Sequence, residues 1–347
     1  MRFIHIADVH LGAVPDQGCP WSASREKEIW DTFRRVTELA AKEKVDLLLI
    51  AGDLFHRQPL PGQLREVNYL FSRMGNVQVV WMAGNHDYLK KDSAYRRISW
   101  ASNVHGFFSQ RPEVVELPGI STWVYGLSYE NREIAEPLYR GIRPNGKPGY
   151  HILLAHGGDE KHIPIRKEEL EGFDYVALGH IHKPQILIPD RMAYAGCLEP
   201  LERTDEGARG FMYGQMEGGK CRAGFIPAAC RSYLTLQITV HSGTVQMALE
   251  QKVREAIRQK GEKNLYRIRL RGFRNPDMEF LREPLFALGN VTEVADETRP
   301  CYDMEKLRQQ QKGTLIGSYI ECFDGRESPK EQKALYYGVQ ALMETRK

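Results

Sequence analysis

Five short groups of potential metal ligands constrain the fold of this 347-residue chain more than any other feature. Each group directly follows an apolar run of strand length. In chain order they read Asp8-Val9-His10, Gly52-Asp53-Leu54-Phe55-His56, Gly84-Asn85-His86-Asp87, Ala155-His156-Gly157 and Gly179-His180-Ile181-His182. In open α/β sheets, ligands bind beyond the carboxyl ends of the strands. Groups spread from residue 8 to residue 182 can therefore converge on one site.

The elements between these groups indicate the fold class. An apolar run, a polar turn and an amphipathic helix alternate, which predicts strands Phe3–Ala7, Asp46–Ala51 and Val77–Met82. Helices are predicted over residues 24–43, with Ser24 as N-cap, and over residues 61–73. Beyond residue 110 the strands follow one another more closely, and we expect them to pair in antiparallel fashion. The predicted fold is a layered α/β domain with central β-sheets flanked by helices.

A smaller α+β capping domain is predicted after this first domain, with boundaries at residues 1–230 and 231–347. We expect its strands over residues 233–240, 245–249 and 265–271, and a helix over residues 251–260. The last helix begins at Ser328, with Pro329 in its first turn and Glu331 completing a capping box. Its apolar face predicts docking on the sheet of its own domain, and the alternative is a partner-binding helix.

The composition excludes several classes of protein. Hydrophobic residues make up 42% of the chain and charged residues 27%, as in soluble globular proteins. No run approaches the ~20 apolar residues that a membrane span needs. The first residues contain no apolar core of the kind found in signal peptides. The six cysteines form no CxxC pair, so we expect reduced thiols and a cytoplasmic protein.

The residue types in the five groups point to a metal centre. Carboxylate, imidazole and amide ligands suit divalent ions such as manganese, iron or zinc. A lone histidine on a strand is usually a core residue with its hydrogen bonds satisfied. Here six of the eleven histidines lie in the five groups, which makes coincidence a poor explanation.

The order and spelling of the groups resemble those of the metallophosphoesterase family over about residues 1–200. The resemblance implies two adjacent divalent ions. It implies that one ion is held by Asp8, His10 and His182, the other by Asn85, His156 and His180, and that Asp53 bridges both. Two such ions can clamp a phosphate and activate a water for in-line attack. His86, next to a ligand, is then the general acid or the group that stabilises phosphate charge.

His56 departs from the commoner pattern of the family. Many phosphatases of this family have Asp at that position, whereas Gly-Asp-Leu-Phe-His resembles the SbcD-like branch of DNA-repair exonucleases. The stretch Gly196–Gly207 is similar to SbcD-like proteins of the YhaO type. This resemblance implies manganese-dependent nuclease activity, with His56 orienting the DNA phosphate. It also implies a homodimer and a partner, an SMC-like ATPase with a long coiled coil. The alternative for His56 is a packing residue without a function.

A second indication of DNA comes from the residues themselves. Nine basic and two acidic residues lie within Lys252–Arg274. In the strand over residues 265–271, Arg267, Arg269 and Arg271 lie on one face, at intervals of about 7 Å. That spacing resembles the phosphates along a DNA strand, and such contacts bind without reading sequence. The alternative is a solvated sheet face whose arginines pair with nearby acids.

These observations favour a two-metal phosphodiesterase that acts on DNA as an exonuclease with some endonuclease capacity. One alternative keeps the metals and changes the substrate, giving a phosphatase or a cyclic-nucleotide phosphodiesterase. Another alternative is a non-catalytic subunit that recruits DNA or the ATPase. Because every ligand position is filled, the sequence argues against loss of catalysis.

Overall fold

A computed structural model describes residues 1–345 and divides the chain into two compact units, Met1–Tyr233 and Leu234–Lys347. The first unit contains two six-stranded sheets, and the second contains a four-stranded sheet and five helices. The predicted fold class, central β-sheets flanked by helices, is confirmed. No helix within residues 1–345 combines the length and the hydropathy required to cross a membrane.

The described part of the first unit contains twelve strands and two long helices, numbered here in chain order. The helices are α1 (Ser22–Lys42) and α2 (Pro61–Ser72). The strands are β1 (Arg2–Ile6), β2 (Leu47–Ala51), β3 (Gln78–Met82), β4 (Val104–Gly106), β5 (Glu113–Leu117), β6 (Thr122–Gly126), β7 (Tyr150–His156), β8 (Tyr175–Gly179), β9 (Gln185–Ile188), β10 (Met192–Tyr194), β11 (Gly210–Glu217) and β12 (Lys220–Pro227). One sheet has the order β12-β11-β1-β2-β3-β4 and the other β5-β6-β7-β8-β10-β9.

Strand β2 shows why the two sheets stack. All five of its residues are aliphatic and buried, as expected for a parallel strand covered on both faces. Leu48 and Ile50 pack in the cluster that includes the apolar faces of α1 and α2. Leu47 and Leu49 point the other way and pack with β7 and β8 of the second sheet. This alternation places β2 in the middle of the unit.

The second sheet corrects the prediction of antiparallel strands. Three neighbouring pairs in this sheet are parallel: β6–β7, β7–β8 and β8–β10. Only the edge strands β5 and β9 pair with their neighbours in antiparallel fashion. Parallel strands need long crossovers, which usually contain a helix. Here residues 127–149 and 157–174 cross over without an α-helix, so the helical pattern that signals a parallel pair is missing from the sequence.

Two further local predictions are wrong. Helix α1 begins at Ser22 after the N-cap Trp21, and Ser24 lies in its first turn, where its hydroxyl donates to the carbonyl of Trp21. The strand expected over residues 245–249 is the start of a helix, α3 (Gln246–Lys260). Leu249 continues the i, i+4 spacing of the buried residues Val253 and Ile257, so it belongs to the same helical face.

The second unit joins a small sheet to a group of helices. Its strands are β13 (Tyr233–Val240), β14 (Leu265–Arg274), β15 (Val291–Asp296) and β16 (Arg299–Pro300). Its remaining helices are α4 (Glu283–Phe286), α5 (Met304–Gln310), α6 (Leu315–Glu321) and α7 (Pro329–Glu344). The buried face of α3 packs on the apolar side chains of β14.

Helix α7 begins as the sequence predicts. Ser328 is its N-cap, and the capping box with Glu331 is present. Its buried residues Leu335 and Val339 pack against Ile316 and Ile320 of α6. The helix therefore docks mainly on another helix, whereas the prediction placed it on the sheet.

Candidate metal centre

The seven predicted ligands come together at the carboxyl ends of five strands. They follow or end β1 (Asp8, His10), β2 (Asp53), β3 (Asn85), β7 (His156) and β8 (His180, His182). The turns after β1 and β2 are joined by backbone hydrogen bonds, since Asp8 N–H donates to Gly52 O at 3.2 Å. Five of the seven predicted ligands are buried, and the other two, His180 and His182, are partly exposed.

One half of the cluster contains Asp8, His10 and His182. One ligand atom from each lies within 4.8 Å of the other two. The other half contains Asn85, whose Oδ1 lies 3.0 Å from His156 Nε2 and 3.1 Å from His180 Nδ1. These are the two sets that the resemblance to the metallophosphoesterases assigns to two separate ions.

Asp53 lies between the two halves. Its Oδ2 is 3.7 Å from His10 Nε2 and 3.5 Å from His156 Nε2. A single carboxylate oxygen therefore faces one imidazole from each set. This is the geometry that a ligand shared by two ions requires.

The polar atoms of the cluster fit a cation. His10 Nε2 is buried and has no hydrogen-bond partner. His156 donates from Nδ1 to Ala51 O at 2.8 Å, which leaves Nε2 as the ring nitrogen that faces Asn85 Oδ1. Within residues 1–345, neither Asp8 nor Asp53 forms an ion pair with Lys or Arg. Buried carboxylates and imidazole lone pairs without a cationic side chain are the donors that a divalent ion uses.

Burial and neighbouring charges set the protonation of these groups. Burial lowers the pKa of His10 far below its ordinary value, so its imidazole is neutral, as in a metal ligand. Burial raises the pKa of Asp8 to about 6. Although burial opposes the charge, the Asp53 carboxylate raises the pKa of His156 to about 9, and His156 in turn holds the pKa of Asp53 below its usual range. A metal binding at His156 therefore displaces a proton.

The backbone of the cluster is strained. Four of the non-glycine ligand residues have positive φ angles: Asp8 (49°), Asp53 (50°), His10 (52°) and His180 (97°). L-residues rarely adopt this region, and such strain gathers at functional sites. The surrounding sheet contacts therefore hold these side chains in place at a cost in stability.

His86 and His56 form one wall of the cluster. Their rings are stacked with centroids 5.2 Å apart, and His86 Nδ1 is 3.2 Å from the carbonyl oxygen of His56. The His56 Nδ1 lies 3.4 Å from His10 Nδ1. Burial, followed by the neighbouring His86, lowers the pKa of His56, which favours its neutral form. His56 thus touches both a predicted ligand and the predicted acid.

Two depressions meet at this histidine wall. The first, which we call the histidine pocket, has a volume of about 200 Å³ and is lined by His10, Ala13, Val14, Pro15, His56, His86, His182, Leu201 and Glu202. The second, which we call the basic groove, has a volume of about 420 Å³ and is lined by His56, Arg57, Gln58, Asn85, His86, Tyr88 and Arg132. Arg57 and Arg132 are exposed, and neither forms an ion pair with a carboxylate in the described part of the chain.

The sequence analysis missed two carboxylates behind the last two histidines. Asp159 Oδ2 lies 2.7 Å from His180 Nε2, and Asp205 Oδ2 lies 3.5 Å from His182 Nδ1. Asp159 follows the ligand His156 by three residues, and that proximity was the available signal. Arg57, Arg132 and His162 were also missed as site residues, and His162 contacts Asp159.

Cys197 lies near His182 and Asp205 and was not among the predicted ligands. Burial raises the pKa of its thiol well above the usual value. Its Sγ donates to the carbonyl oxygen of His182 at 3.5 Å. The seven predicted ligands themselves offer only oxygen and nitrogen atoms.

The arginine row of the second unit has acidic partners. Arg267 lies 3.0 Å from Glu293, and Arg269 and Arg271 lie 3.7 and 3.0 Å from Glu297. These contacts agree with the alternative given above, a sheet face whose arginines pair with nearby acids. Three arginines that face two glutamates retain little net charge for DNA.

Residues 1–184 match the model of the calcineurin-like phosphoesterase family, a range that contains all five ligand groups. The chain is 30% identical over 298 residues to the uncharacterized metallophosphoesterase YhaO of Bacillus subtilis, covering 78% of this chain and 72% of YhaO. It is 30% identical over 251 residues to the DNA double-strand break repair protein Mre11 of Methanopyrus kandleri, covering 63% of this chain and 55% of that protein. It is 27% identical over 305 residues to Mre11 of Sulfolobus acidocaldarius, covering 78% and 75%. The chain belongs to the calcineurin-like metallophosphoesterase family.

Proposed function

We propose that this hydrolase is a phosphodiesterase that cleaves DNA, with two divalent ions as cofactors. The observation that carries the proposal is the pair of depressions that meet at His56 and His86. A phosphodiester has two esterified arms, and the histidine pocket and the basic groove offer each arm a separate path. A phosphomonoester would leave one of the two paths empty.

The seven ligands divide the work of holding the ions. One ion would be held by Asp8, His10 and His182, the other by Asn85, His156 and His180, and Asp53 would be shared. Bound there, the two ions supply Lewis-acid stabilisation of the phosphoryl oxygens and activate a water as nucleophile. We propose manganese, because the resemblance to SbcD-like nucleases implies it and because carboxylates, imidazoles and an amide without a thiolate accommodate this ion.

His86 provides a proton for the leaving oxygen. Its Nδ1–H donates to the carbonyl oxygen of His56, which fixes the ring and points Nε2 away from that bond. A neutral ring held in this way has no proton on Nε2. His86 therefore acts as an acid only as the imidazolium, and the same positive charge stabilises a phosphate that approaches along the wall.

The basic groove favours a polymeric substrate. Arg57 and Arg132 are available for phosphate groups beside the cleaved one, because no carboxylate neutralises them in the described residues. Tyr88 belongs to the same lining and offers a ring for stacking. Gln58 Nε2 donates to the Tyr88 carbonyl at 2.8 Å and holds this part of the wall. His56 stands where the groove reaches the metal ligands and orients the phosphate there.

The names of the relatives add to this argument, since the Methanopyrus and Sulfolobus proteins are DNA double-strand break repair proteins. They support DNA over a cyclic nucleotide or a small phosphomonoester. The resemblance to SbcD-like proteins adds a homodimer and an SMC-like ATPase as partner. Both are tested by light scattering of the purified protein, alone and mixed with such an ATPase from the same genome.

The function itself is tested with DNA labelled at the 3′ or the 5′ end, incubated with the protein and manganese. We expect shortening of DNA and release of nucleotides, with weak hydrolysis of p-nitrophenyl phosphate. Strong hydrolysis of the monoester without DNA cleavage would favour a phosphatase. Binding of DNA without any hydrolysis would favour the non-catalytic subunit.

A further inference from the structure

Asp159 makes an unusually complete set of hydrogen bonds for a half-exposed carboxylate. Its Oδ2 accepts from His180 Nε2 at 2.7 Å, and both of its oxygens lie 2.9 Å from His162 Nδ1. The backbone N–H groups of Lys161 and His162 donate to its Oδ1 at 2.8 and 2.9 Å. The carboxylate is therefore held in place by its own loop and turned toward His180.

This contact determines which nitrogen of His180 is free. A proton on Nε2 is donated to Asp159, so the lone pair of a neutral ring lies on Nδ1. That atom is 3.1 Å from Asn85 Oδ1, on the side of the proposed metal centre. A hydrogen bond to the outer nitrogen of a ligating histidine fixes its tautomer and its orientation.

The loop that presents Asp159 is itself rigidly anchored. It begins directly after the ligand His156, and Gly158 N–H donates to the carbonyl oxygen of His162 at 2.9 Å. Gly157 has a φ of 138°, and a Cβ at this position would lie 2.3 Å from the same oxygen. The loop therefore closes back on itself and connects two proposed ligands of one ion, His156 and His180.

We infer that Asp159 is a positioning residue for His180 and strengthens the binding of one of the two ions, the one shared by Asn85, His156 and His180. The inference rests on the metal centre proposed above. His162 supports the same function by anchoring the carboxylate. Asp159 contacts Nε2 of the His180 ring, whereas the nitrogen that faces Asn85 and the proposed ion is Nδ1.

The test is a manganese titration of the metal-free protein by calorimetry, with electron paramagnetic resonance of bound manganese as a second readout. For Asp159→Ala we expect one of the two sites to weaken by about 10- to 100-fold, with the other unchanged. Turnover should return at high manganese concentration, because His180 is still present. Asp159→Asn keeps an oxygen that accepts from Nε2, so its affinity should stay within a few-fold of the wild type.

Glu160→Gln is the matched control, because Glu160 is an exposed neighbour of Asp159 on the same loop. It should titrate like the wild type. If Asp159→Ala also titrates like the wild type, the inference is wrong. If Asp159→Asn binds manganese as weakly as Asp159→Ala, the negative charge of Asp159 alone accounts for the affinity, and the proposed orientation of His180 does not. A wild-type protein that binds fewer than two ions would instead overturn the proposed metal centre, so the two failures are distinguishable.

Discussion

The backbone N–H of His86 donates a 2.8 Å hydrogen bond to Oδ1 of Asp53. This bond connects the proposed general acid to the carboxylate that faces both ligand sets. It also leaves Oδ2 of Asp53 free to face His10 and His156. The position of the acid and the spacing of the two ions therefore depend on the same carboxylate.

Gly84→Ala should disturb this carboxylate. A Cβ at residue 84 would lie 2.3 Å from Asp53 Oδ1 and 2.7 Å from its backbone nitrogen, so Asp53 must move. We expect at least a ~10-fold loss of metal affinity, measured by calorimetry. Gly224→Ala is the control, since no atom lies within 4 Å of a Cβ at that strand position. Equal metal affinity in both variants would contradict the tight contact.

His86→Ala should retain both ions and lose turnover. His86 lies on the wall and is not in either ligand set, so metal content measured by elemental analysis should equal that of the wild type. Loss of a general acid lowers kcat by about 10²- to 10⁴-fold. A variant that keeps full activity would show that another group supplies the proton.

Replacing Arg57 and Arg132 together by Gln should weaken the hydrolysis of oligonucleotides. Each lost phosphate contact should reduce the salt dependence of single-strand binding by about 0.7 in the log–log slope. Hydrolysis of bis(p-nitrophenyl) phosphate should be unchanged, because this small diester does not reach along the basic groove.

The matched control for that pair is the replacement of Arg267, Arg269 and Arg271 by Gln. Because carboxylates already pair with these three arginines, we expect DNA affinity and its salt dependence to change little. If this triple variant loses DNA affinity and the Arg57 and Arg132 variant does not, the DNA binds through the second unit.

Removal of metal should destabilise the fold. An ion that binds only the native state adds about 2.7 kcal/mol to the free energy of unfolding when its free concentration is 100 times Kd. Urea unfolding of the wild type with manganese and with EDTA should differ by at least this amount. Asp53→Asn should show a much smaller difference, because it lacks the shared ligand. An equal effect of EDTA on both proteins would argue against metal binding at Asp53.

The buried His5 should make stability fall at acidic pH. It packs beside the Tyr175 hydroxyl at 3.1 Å, and burial lowers its pKa to about 3. Between pH 6.5 and 3 the unfolded state binds a proton that the native state does not. The free energy of unfolding should therefore fall by up to about 1.4 kcal/mol for each pH unit of acidification.

This slope is measured by urea unfolding between pH 7 and pH 5 in EDTA. His5→Gln should show a smaller slope than the wild type, since it removes the titrating ring. The exposed His241 provides a control, and His241→Gln should leave the slope unchanged. Equal slopes for all three proteins would mean that other buried groups cause the loss of stability.

The predictions that the structure supports in detail concern residues close together in sequence. The N-cap of helix α7, Ser328, and its capping box were predictable because the cap involves residues only three apart. The ligand groups were found because each follows its own strand directly. Strand and ligand are then recognised together, with no need to know how the strands pair.

The predictions that failed depended on partners distant in sequence or on a choice between two apolar patterns. The short run at residues 245–249 fits a strand or a helix, and packing of α3 on the sheet decided for the helix. The direction of β6, β7 and β8 depended on crossovers without α-helices. DNA binding by the arginine row stays a prediction, but the sequence did not reveal the acids that pair with Arg267 and Arg271. They come from β15 and the turn after it, 26 residues away in each case.

The amino-acid sequence by itself determined the residue types of the proposed ligands, their order and their place at strand ends, because these are properties of a strand and the residues after it. Only the tertiary structure decided that Asp53 faces both ligand sets, that Asp159 supports His180, and that Arg57 and Arg132 border one groove. Each of these contacts joins loops from different crossovers. Their distances follow from how the two sheets stack, and no short-range pattern of residues records that stacking.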